Sequence, residues 1–325
     1  MTAPSRLTAT GHDTKESSAI DQEPEAPDRP GPDGTEPPPE RGAATAPAEL
    51  RADCIADSAG GLTFDLSVPG DLHLNWSAAL VLRLRGGDGA DDAVRLPLGP
   101  NGAGRLRAVL PSTVALAEGR WNAYADLGDG EDPRRLLPGI NDLRSLVDRR
   151  PLAGIGRLGV RIPYATKFGN LALRSWLRGP HAEAGDILVT PDGMTVSGRL
   201  YGAAPAAGAR AEARLRRTAA SAAAPAVTVT VPLTVEGAEF SFTLPYAEPA
   251  GHWEDGSEPW DLWLRPAEGA RPVRIARLLD DVADKKQVFT YPAMPVPTAA
   301  GDLRAGPYYT LDNDLALRIA GPAGD

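Results

Sequence analysis

The sequence contains one pattern twice, and this internal repeat constrains the fold more than any other feature. In its clearest part, Pro163–Arg174 matches Pro307–Arg318, with Pro, Tyr, Thr, Leu, Ala, Leu and Arg at the same positions and no gap. Far upstream, Gly61–Val68 matches Gly193–Leu200. A repeat of this kind indicates that each copy is one structural unit. We therefore expect two copies of one module rather than two unrelated domains.

The repeat also sets the expected domain boundaries. The first module spans residues 50–178 and the second spans residues 179–325, with a loop insertion at 252–258. Residues 1–49 lie outside both copies, contain ten acidic against four basic residues, and hold −6 of the formal net charge of −9. Such a Pro-rich segment has too little apolar surface to offset its backbone entropy on folding. We predict a disordered acidic tail for solubility or spacing, with partner docking as the alternative.

Short alternating segments separated by turn residues dominate each copy. Residues 79–85 in the first copy and 239–244 in the second have the two-residue period or the composition of β-strands. The Gly, Pro and Asp clusters between such segments are typical of turns. The pattern predicts an all-β fold of two tandem immunoglobulin-like or fibronectin-III-like β-sandwiches. Residues 141–148, with Asn141 as N-cap, and residues 278–284 are the exceptions, for which we expect short helical turns.

Large aromatic residues recur at equivalent positions in the two copies. Trp121 aligns with Trp260, and Tyr164 aligns with Tyr308. Aromatic side chains of a β-sandwich commonly pack between its facing sheets. We therefore expect these four residues to be structural, with ligand stacking as the alternative.

Composition excludes several classes of protein. The 325 residues include one cysteine, Cys54, so neither an intrachain disulfide nor a cysteine-cluster zinc site can form. The acidic net charge argues against a nucleic-acid binder. No segment reaches about 18 consecutive apolar residues, and the first residues lack the basic and apolar regions of a signal peptide. We expect no transmembrane segment and a cytoplasmic location.

Motifs with catalytic or metal-binding chemistry are few. Asp312-Asn313-Asp314 resembles the carboxylate pair by which many glycosyltransferases hold a metal–nucleotide complex. Because the first copy has Phe168 and Asn170 at the equivalent positions, a turn before the next strand is the favoured interpretation. The four histidines show no spacing typical of a nucleophile or of a zinc helix. The sequence predicts no catalytic residue, no metal site and no cofactor.

Carbohydrate binding is the site hypothesis that the sequence supports best. Exposed aromatic rings stack on the apolar faces of sugars while neighbouring polar groups bind hydroxyls. The candidates are residues that the two copies do not share, namely Trp176, His252, Trp253 and Tyr309, with Trp76 as a further one. His252 and Trp253 lie in the loop insertion, and loops are common places for added function. The alternative is that these residues serve packing or an interface.

The pattern Pro-Tyr-x-Thr-x-x-x-Asn/Asp-Leu-Ala-Leu-Arg, which ends each β-rich copy, resembles a known family. It is similar to the non-catalytic β-sandwich modules at the C-terminus of actinobacterial family-2 glycosyltransferases and teichoic-acid-type polymer enzymes. The resemblance covers residues 50–320 of this chain, including Trp121 and Trp260. Stand-alone relatives of such modules carry a transferase label. The full enzymes have an α/β catalytic domain, for which this sequence shows no pattern.

The resemblance and the repeat together imply a function outside catalysis. We expect an accessory or scaffold protein that binds glycan polymer, or a separately encoded glycosyltransferase, in surface-glycan synthesis. The first alternative is a transferase in its own right, with Asp312 and Asp314 or the Trp253 loop contributing a site. The second alternative is a structural protein that forms homo-oligomers through sheet faces or edges.

Overall fold

The structure, a computed structural model, describes residues 49–68, 75–102, 104–147, 149–151, 156–216, 226–299 and 301–321. These residues belong to one compact unit and are nearly all β-structure in several sheets, as the sequence predicts. The acidic tail, up to residue 48, lies outside the described residues, so its predicted disorder stays a prediction. In the part of the chain that the structure describes, no helix is long and apolar enough to cross a lipid bilayer.

The first half of the chain forms two sheets. Its strands are β1 (Arg51–Ala56), β2 (Leu62–Ser67), β3 (Ala79–Leu84), β4 (Ala93–Pro97), β5 (Gly99–Pro100), β6 (Leu106–Leu110), β7 (Gly119–Asp126), β8 (Arg134–Arg135), β9 (Leu137–Asp142), β10 (Leu158–Ala165) and β11 (Leu171–Arg178). One sheet has the order β5-β6-β2-β1-β9, and the other has the order β10-β11-β7-β3-β4 with β8 beside β7. The β1–β9 pair is parallel, whereas β1–β2 and β3–β7 are antiparallel. Short 3-10 helices occur at Ala90–Asp92 and Arg144–Leu146.

The second half repeats this arrangement, with an additional strand, β20, beside β21 and a sheet that is continuous. Its elements are β12 (His181–Val189), β13 (Gly193–Tyr201), β14 (Arg210–Leu215), β15 (Thr228–Pro232), β16 (Thr234–Glu236), β17 (Glu239–Pro245), the helix α1 (Ala247–Ala250), β18 (Ser257–Arg265), β19 (Val273–Ala276), β20 (Met294–Thr298), β21 (Gly301–Tyr309) and β22 (Leu315–Ala320). The order β5-β6-β2-β1-β9 recurs as β16-β17-β13-β12-β19, and β10-β11-β7-β3-β4 recurs as β21-β22-β18-β14-β15. Because β19 pairs with both β12 and β18, the second half forms one continuous sheet.

Each half has its own apolar core, to which both groups of strands contribute. Strand β7 alternates between buried and half-buried residues, which places Trp121 inward. Trp121 packs with Phe64 of β2 in the first core, and its Nε1 donates to the Ala117 carbonyl (3.0 Å). Trp260 of β18 is fully buried in the second core, opposite Leu317 of β22. The two tryptophans therefore have the structural role expected of them.

A segment of the second half completes the core of the first. After β19, Leu278 is fully buried in the apolar cluster that contains Trp121. The Glu183 carboxylate of β12 accepts hydrogen bonds from the backbone N–H groups of Leu278 (2.9 Å) and Leu279 (2.9 Å). The helical turn expected for residues 278–284 does not form, because this carboxylate holds the start of the segment in an irregular conformation.

The other helical turn is shorter than expected. Only Arg144–Leu146 is helical within residues 141–147, and Leu143 rather than Asn141 is its N-cap. Asn141 instead belongs to β9, where it lies beside Cys54 of β1. Pairing with a neighbouring strand, which the local sequence does not reveal, fixed its conformation.

Candidate functional site

Two adjoining cavities on the outer face of β21 and β22 form a groove, which we call the β22 groove. Their volumes are about 210 Å³ and about 490 Å³, and they share Lys286, Tyr308 and Arg318 in their walls. Side chains alternate along a strand, so β21 directs Leu303 and Ala305 to the core and leaves Arg304 and Tyr308 on the other face. The same alternation leaves Arg318 exposed on β22.

The opposite wall of the groove is the segment 286–293, which crosses close to β21. Gly306 lies opposite Arg318 in the sheet, and a Cβ atom there would lie 3.0 Å from the Pro292 carbonyl oxygen and 3.1 Å from the Ala293 Cα. A side chain at this position would require the segment to move away by a few tenths of an ångström. Phe289 and Tyr291 contribute aromatic side chains to the same wall.

A buried lysine anchors this segment. Lys285 is fully buried, and its Nζ donates to the Asp280 carboxylate (2.7 Å) and to the Val282 carbonyl (2.8 Å). Its backbone N–H donates to the Asn313 side chain (3.1 Å), which links the segment to the turn before β22. Burial lowers the pKa of Lys285, and the Asp280 carboxylate opposes that shift. The wall of the groove is thus held at its base by hydrogen bonds rather than by apolar packing alone.

Positive charge is only partly balanced in the β22 groove. The Arg318 guanidinium lies 4.4 Å from the centre of the Tyr308 ring, a cation–π distance. Among the described residues, neither Arg318 nor Lys286 nor Arg304 forms an ion pair with a carboxylate. An aromatic ring with unpaired cations can bind a hydroxyl-rich or anionic ligand by stacking and by donated hydrogen bonds.

The predicted residues His252 and Trp253 lie near the end of β22 but are not among the residues that line either cavity. Gly321, at the end of β22, donates its backbone N–H to the Gly256 carbonyl (3.0 Å), and the Trp253 ring lies against Gly321. Trp253 is half-buried against the second core, and its Nε1 donates to the Gly256 carbonyl (3.2 Å). His252 is exposed. The loop insertion reaches the groove through Ser257, which lines the larger cavity.

The structure places the predicted residues Trp176 and Tyr309 elsewhere. Trp176 is buried, and its Nε1 donates to the Asp312 carbonyl (3.1 Å) in the second half. Tyr309 is fully buried in the second core, with its ring 5.9 Å from that of Phe289. Rings covered by protein offer no face to a sugar, so the packing and interface alternative describes both residues in this conformation. The further candidate Trp76 is fully exposed in the first half.

The carboxylates of Asp312 and Asp314 are engaged by arginines. Asp312 pairs with Arg174, and Asp314 pairs with Arg178 (2.7 Å) and Arg274 (3.3 Å). Asn313 between them has a positive φ of 60°, as a tight turn requires. In the described part of the chain, no three or more His, Cys, Asp or Glu side chains are grouped to hold a metal ion. The motif forms a turn, as the favoured interpretation has it, and its two carboxylates join the halves and line the larger cavity of the β22 groove.

Sequence reasoning missed Lys286, Arg304 and Arg318. Arg318 belongs to the strongest repeat motif, but its counterpart Arg174 is buried, so the motif alone could not predict exposure. The alternation of Arg304 with buried residues along β21 was the available signal.

No protein-family model matches the chain, and no curated protein matches it. Among solved structures, it is similar to S. aureus TarS with 12% identity over 61% of this chain and 35% of that chain, at a TM-score of 0.29. A shorter crystal structure of TarS is similar with 14% identity over 61% of this chain and 56% of that chain, also at a TM-score of 0.29. The chain thus spans between a third and three fifths of the length of these structures. Similarity at this level carries no inference about fold or function.

Proposed function

We propose that this chain is a non-catalytic accessory or scaffold protein that binds glycan polymer in surface-glycan synthesis. Its architecture would be an acidic tail at residues 1–49, followed by tandem immunoglobulin-like or fibronectin-III-like β-sandwiches at 50–178 and 179–325. Two observations support the sandwiches: the strand order recurs, and each apolar core takes side chains from both groups of strands. The sequence pattern shared with the C-terminal modules of glycosyltransferases supports the link to glycan synthesis.

The β22 groove carries the functional part of the proposal. Tyr308 is half-buried where the two cavities meet, and the Arg318 guanidinium lies over one face of its ring. Neither Arg318 nor Lys286 has a carboxylate partner among the described residues. A sugar ring packs on such an aromatic surface while the cations donate hydrogen bonds to hydroxyl or anionic groups. The loop insertion contributes Ser257 to the wall of the larger cavity.

Binding of the full chain to soluble glycans tests this proposal. The probes are dextran, carboxymethyl dextran and phosphorylated dextran of one chain length, titrated by calorimetry. We expect Tyr308→Ala to weaken glycan binding about tenfold, which corresponds to about 1.4 kcal/mol. The matched control is Tyr164→Ala at the equivalent position of the first half, for which we expect unchanged binding. Absence of binding to all three probes, or equal loss in both variants, would contradict the proposal.

A glycosyltransferase partner is the second form of the same proposal. A polymer-binding scaffold is useful when it holds its ligand near the enzyme that extends it, and multivalent attachment raises the effective concentration. Co-purification of the full chain with a glycosyltransferase encoded beside it is the corresponding measurement. If the wild-type chain retains the glycosyltransferase and the Tyr308→Ala variant does not, the enzyme binds at the β22 groove.

A further inference from the structure

We infer that the first half has a second, separate binding surface, which takes glycan chains carrying phosphate or carboxylate groups. The surface lies on the outer face of β3, β7 and β8, and we call it the Tyr124 face. Its members are Arg83, Arg85, Arg120, Asn122, Tyr124 and Arg135. The inference does not require that the β22 groove binds a glycan.

Strand register builds the Tyr124 face. Arg83 of β3 lies opposite Asn122 of β7, and Tyr124 lies opposite Arg135 of β8. The guanidinium groups of Arg83 and Arg135 lie 5.2 Å and 4.8 Å from the centre of the Tyr124 ring. A ring between two guanidiniums holds them by cation–π attraction. Arg83 is exposed and Arg135 is half-buried, so guanidinium N–H groups beside this ring are accessible to solvent.

The arginines of this face have only neutral hydrogen-bond acceptors. Arg85 donates to the Asn122 side chain (3.2 Å), Arg120 donates to the Leu311 carbonyl (3.3 Å), and Arg135 donates to the Ala123 carbonyl (3.4 Å). Among the described residues, none of Arg83, Arg85, Arg120 and Arg135 forms an ion pair with a carboxylate.

The acidic groups beside this face belong to other arginines. Asp126, at the end of β7, pairs with Arg95 (2.8 Å). The hydrogen bond from Arg95 is the main cause that lowers the pKa of Asp126, and Arg83 makes only a smaller electrostatic contribution. Asp312, which follows the Leu311 carbonyl that Arg120 contacts, pairs with Arg174. Both acids are therefore engaged by arginines outside the Tyr124 face.

The second half contains the same arrangement with its charge neutralised. Trp263 of β18 occupies the position of Tyr124, and Arg214 and Arg274 each lie 4.9 Å from the centre of its ring. Where the first half has Asn122 opposite Arg83, the second half has Asp261 opposite Arg214. The Asp261 carboxylate pairs with Arg216 and, at 3.0 Å, with Arg274.

A second acid completes this neutralisation. Glu212 stands opposite Trp263, where the first half has Val81 opposite Tyr124. Glu212 is buried and pairs with Arg210, Arg214 and Arg265. One half thus uses carboxylates of the protein to satisfy its arginines, and the other leaves that place to a ligand.

The chemistry of the ligand follows from these groups. Guanidinium forks bind phosphate and carboxylate oxygens through paired hydrogen bonds. The face is a sheet surface rather than an enclosed cavity, which suits an extended chain with repeated anionic groups. Residues 50–325 carry −3 of the formal net charge of −9, so they are not the basic domain that nucleic-acid binding needs. Distant charges are screened beyond about 8 Å at physiological salt, so a local group of arginines can still bind an anionic chain. An anionic glycan is therefore the favoured occupant.

A reciprocal exchange of Asn and Asp in the full chain is the sharpest test. Asn122→Asp gives the first half the acid that the second half carries, and Asp261→Asn removes that acid from the second half. We expect Asn122→Asp to weaken binding of phosphorylated or carboxymethyl dextran at least tenfold, while Asp261→Asn leaves binding unchanged or strengthens it. The relative affinities for the two probes tell phosphate from carboxylate preference. Plain dextran of the same length should bind only at the β22 groove.

A double variant provides a second test, which remains valid even if the Asn122→Asp protein does not fold. Arg83→Gln with Arg135→Gln removes both cations around Tyr124, and we expect the slope of log affinity against log salt to fall in magnitude by about 1 to 2. Arg214→Gln is the matched control. Unchanged binding of the anionic dextrans in the double variant would overturn the inference. Tighter binding of single-stranded oligonucleotide than of either anionic dextran would also overturn it.

The two proposals fail in different ways. If Tyr308→Ala abolishes binding of the anionic dextrans and the Arg83 and Arg135 changes do not, the β22 groove is the site and the inference fails. If the Arg83 and Arg135 changes abolish it and Tyr308→Ala does not, the Tyr124 face binds and the proposed groove fails.

Discussion

The two halves of the molecule carry the same residues at many equivalent positions, but they leave different charges unpaired. Arg174 of the first half is buried and paired with Asp312 of the second half. Its counterpart Arg318 is exposed in the β22 groove beside Tyr308. The repeated arginine thus contacts the other half in the first copy and is exposed in the second copy.

Around Tyr124 and its counterpart Trp263 the contrast is the opposite one, because there the second half has the paired arginines. Arg214 and Arg274 of the second half are neutralised by protein carboxylates, whereas Arg83 and Arg135 of the first half are not. Strand pairing fixes where each guanidinium lies, and the charge of one neighbour decides whether it is structural or available. Two differences separate the arrangements: the second half has Asp261 and Glu212 where the first half has Asn122 and Val81.

The largest expected effect concerns Leu278, the residue of the second half that is buried in the core of the first half. Leu278→Ala leaves a cavity in the first core although the residue belongs to the second half, and we expect a loss of about 3 kcal/mol in the free energy of unfolding. Denaturant titration measures that loss, and hydrogen exchange locates it. Leu279→Ala, at a half-buried position, should cost about 1 kcal/mol. Loss of exchange protection confined to β12–β22 would show that the first half does not depend on this contact.

The next effect concerns the buried acid of the second half. Glu212→Gln leaves arginines without their carboxylate, and because these arginines are partly exposed we expect a loss of about 2 kcal/mol in the free energy of unfolding. Glu239→Gln, which removes an exposed partner of Arg199, should cost under about 0.5 kcal/mol. Equal losses in the two variants by denaturant titration would mean that Glu212 adds no more than a surface pair.

The stability lost in Glu212→Gln is expected to depend on pH. Burial raises the pKa of Glu212, but the hydrogen bonds from Arg265 and Arg214 outweigh it, so the pKa lies below its ordinary value. A carboxylate with a lowered pKa in the folded state stabilises fully above its unfolded pKa, and this contribution is lost as pH falls through the folded pKa. The stability difference between wild type and Glu212→Gln should therefore be constant near neutral pH and shrink below about pH 4. A difference independent of pH would contradict this.

The smallest effect compares the repeated arginines directly. We expect Arg174→Gln to reduce the free energy of unfolding by about 1 to 2 kcal/mol, because it breaks a mostly buried pair between the halves. The same change at Arg318 should alter stability by less than about 0.5 kcal/mol, since that side chain is exposed and unpaired among the described residues. Thermal unfolding of both variants measures the contrast. A larger loss in Arg318→Gln would reverse our assignment of structural and available positions.

Much of the local architecture could be predicted from the sequence. Alternation along segments such as 239–244 predicted strands, because one face of a sheet is buried and the side-chain period is two. The aligned tryptophans Trp121 and Trp260 were predicted to be structural, and both are buried. The turn interpretation of Asp312-Asn313-Asp314 followed from its alignment with residues 168–170. These features depend on short segments and on their repetition.

The candidate site could be predicted only in part. The loop insertion was visible as a difference between the copies, but Ser257 rather than His252 or Trp253 lines the β22 groove. Trp176 and Tyr309 met the same criterion but are buried, because tertiary contacts cover them. An aromatic residue in a strand has the same local pattern whether its ring faces solvent, a core or another module.

The sequence by itself determined the β-rich character, the repeat, and which positions of the two halves correspond. The tertiary structure alone decided which charges meet: Arg174 finds Asp312, far along the chain, and Arg318 finds no carboxylate among the described residues. Backbone preference and side-chain alternation act between near neighbours, so a single chain records them. Charge pairing and ring burial depend on groups brought together by folding, and two copies of one pattern therefore acquired different surfaces.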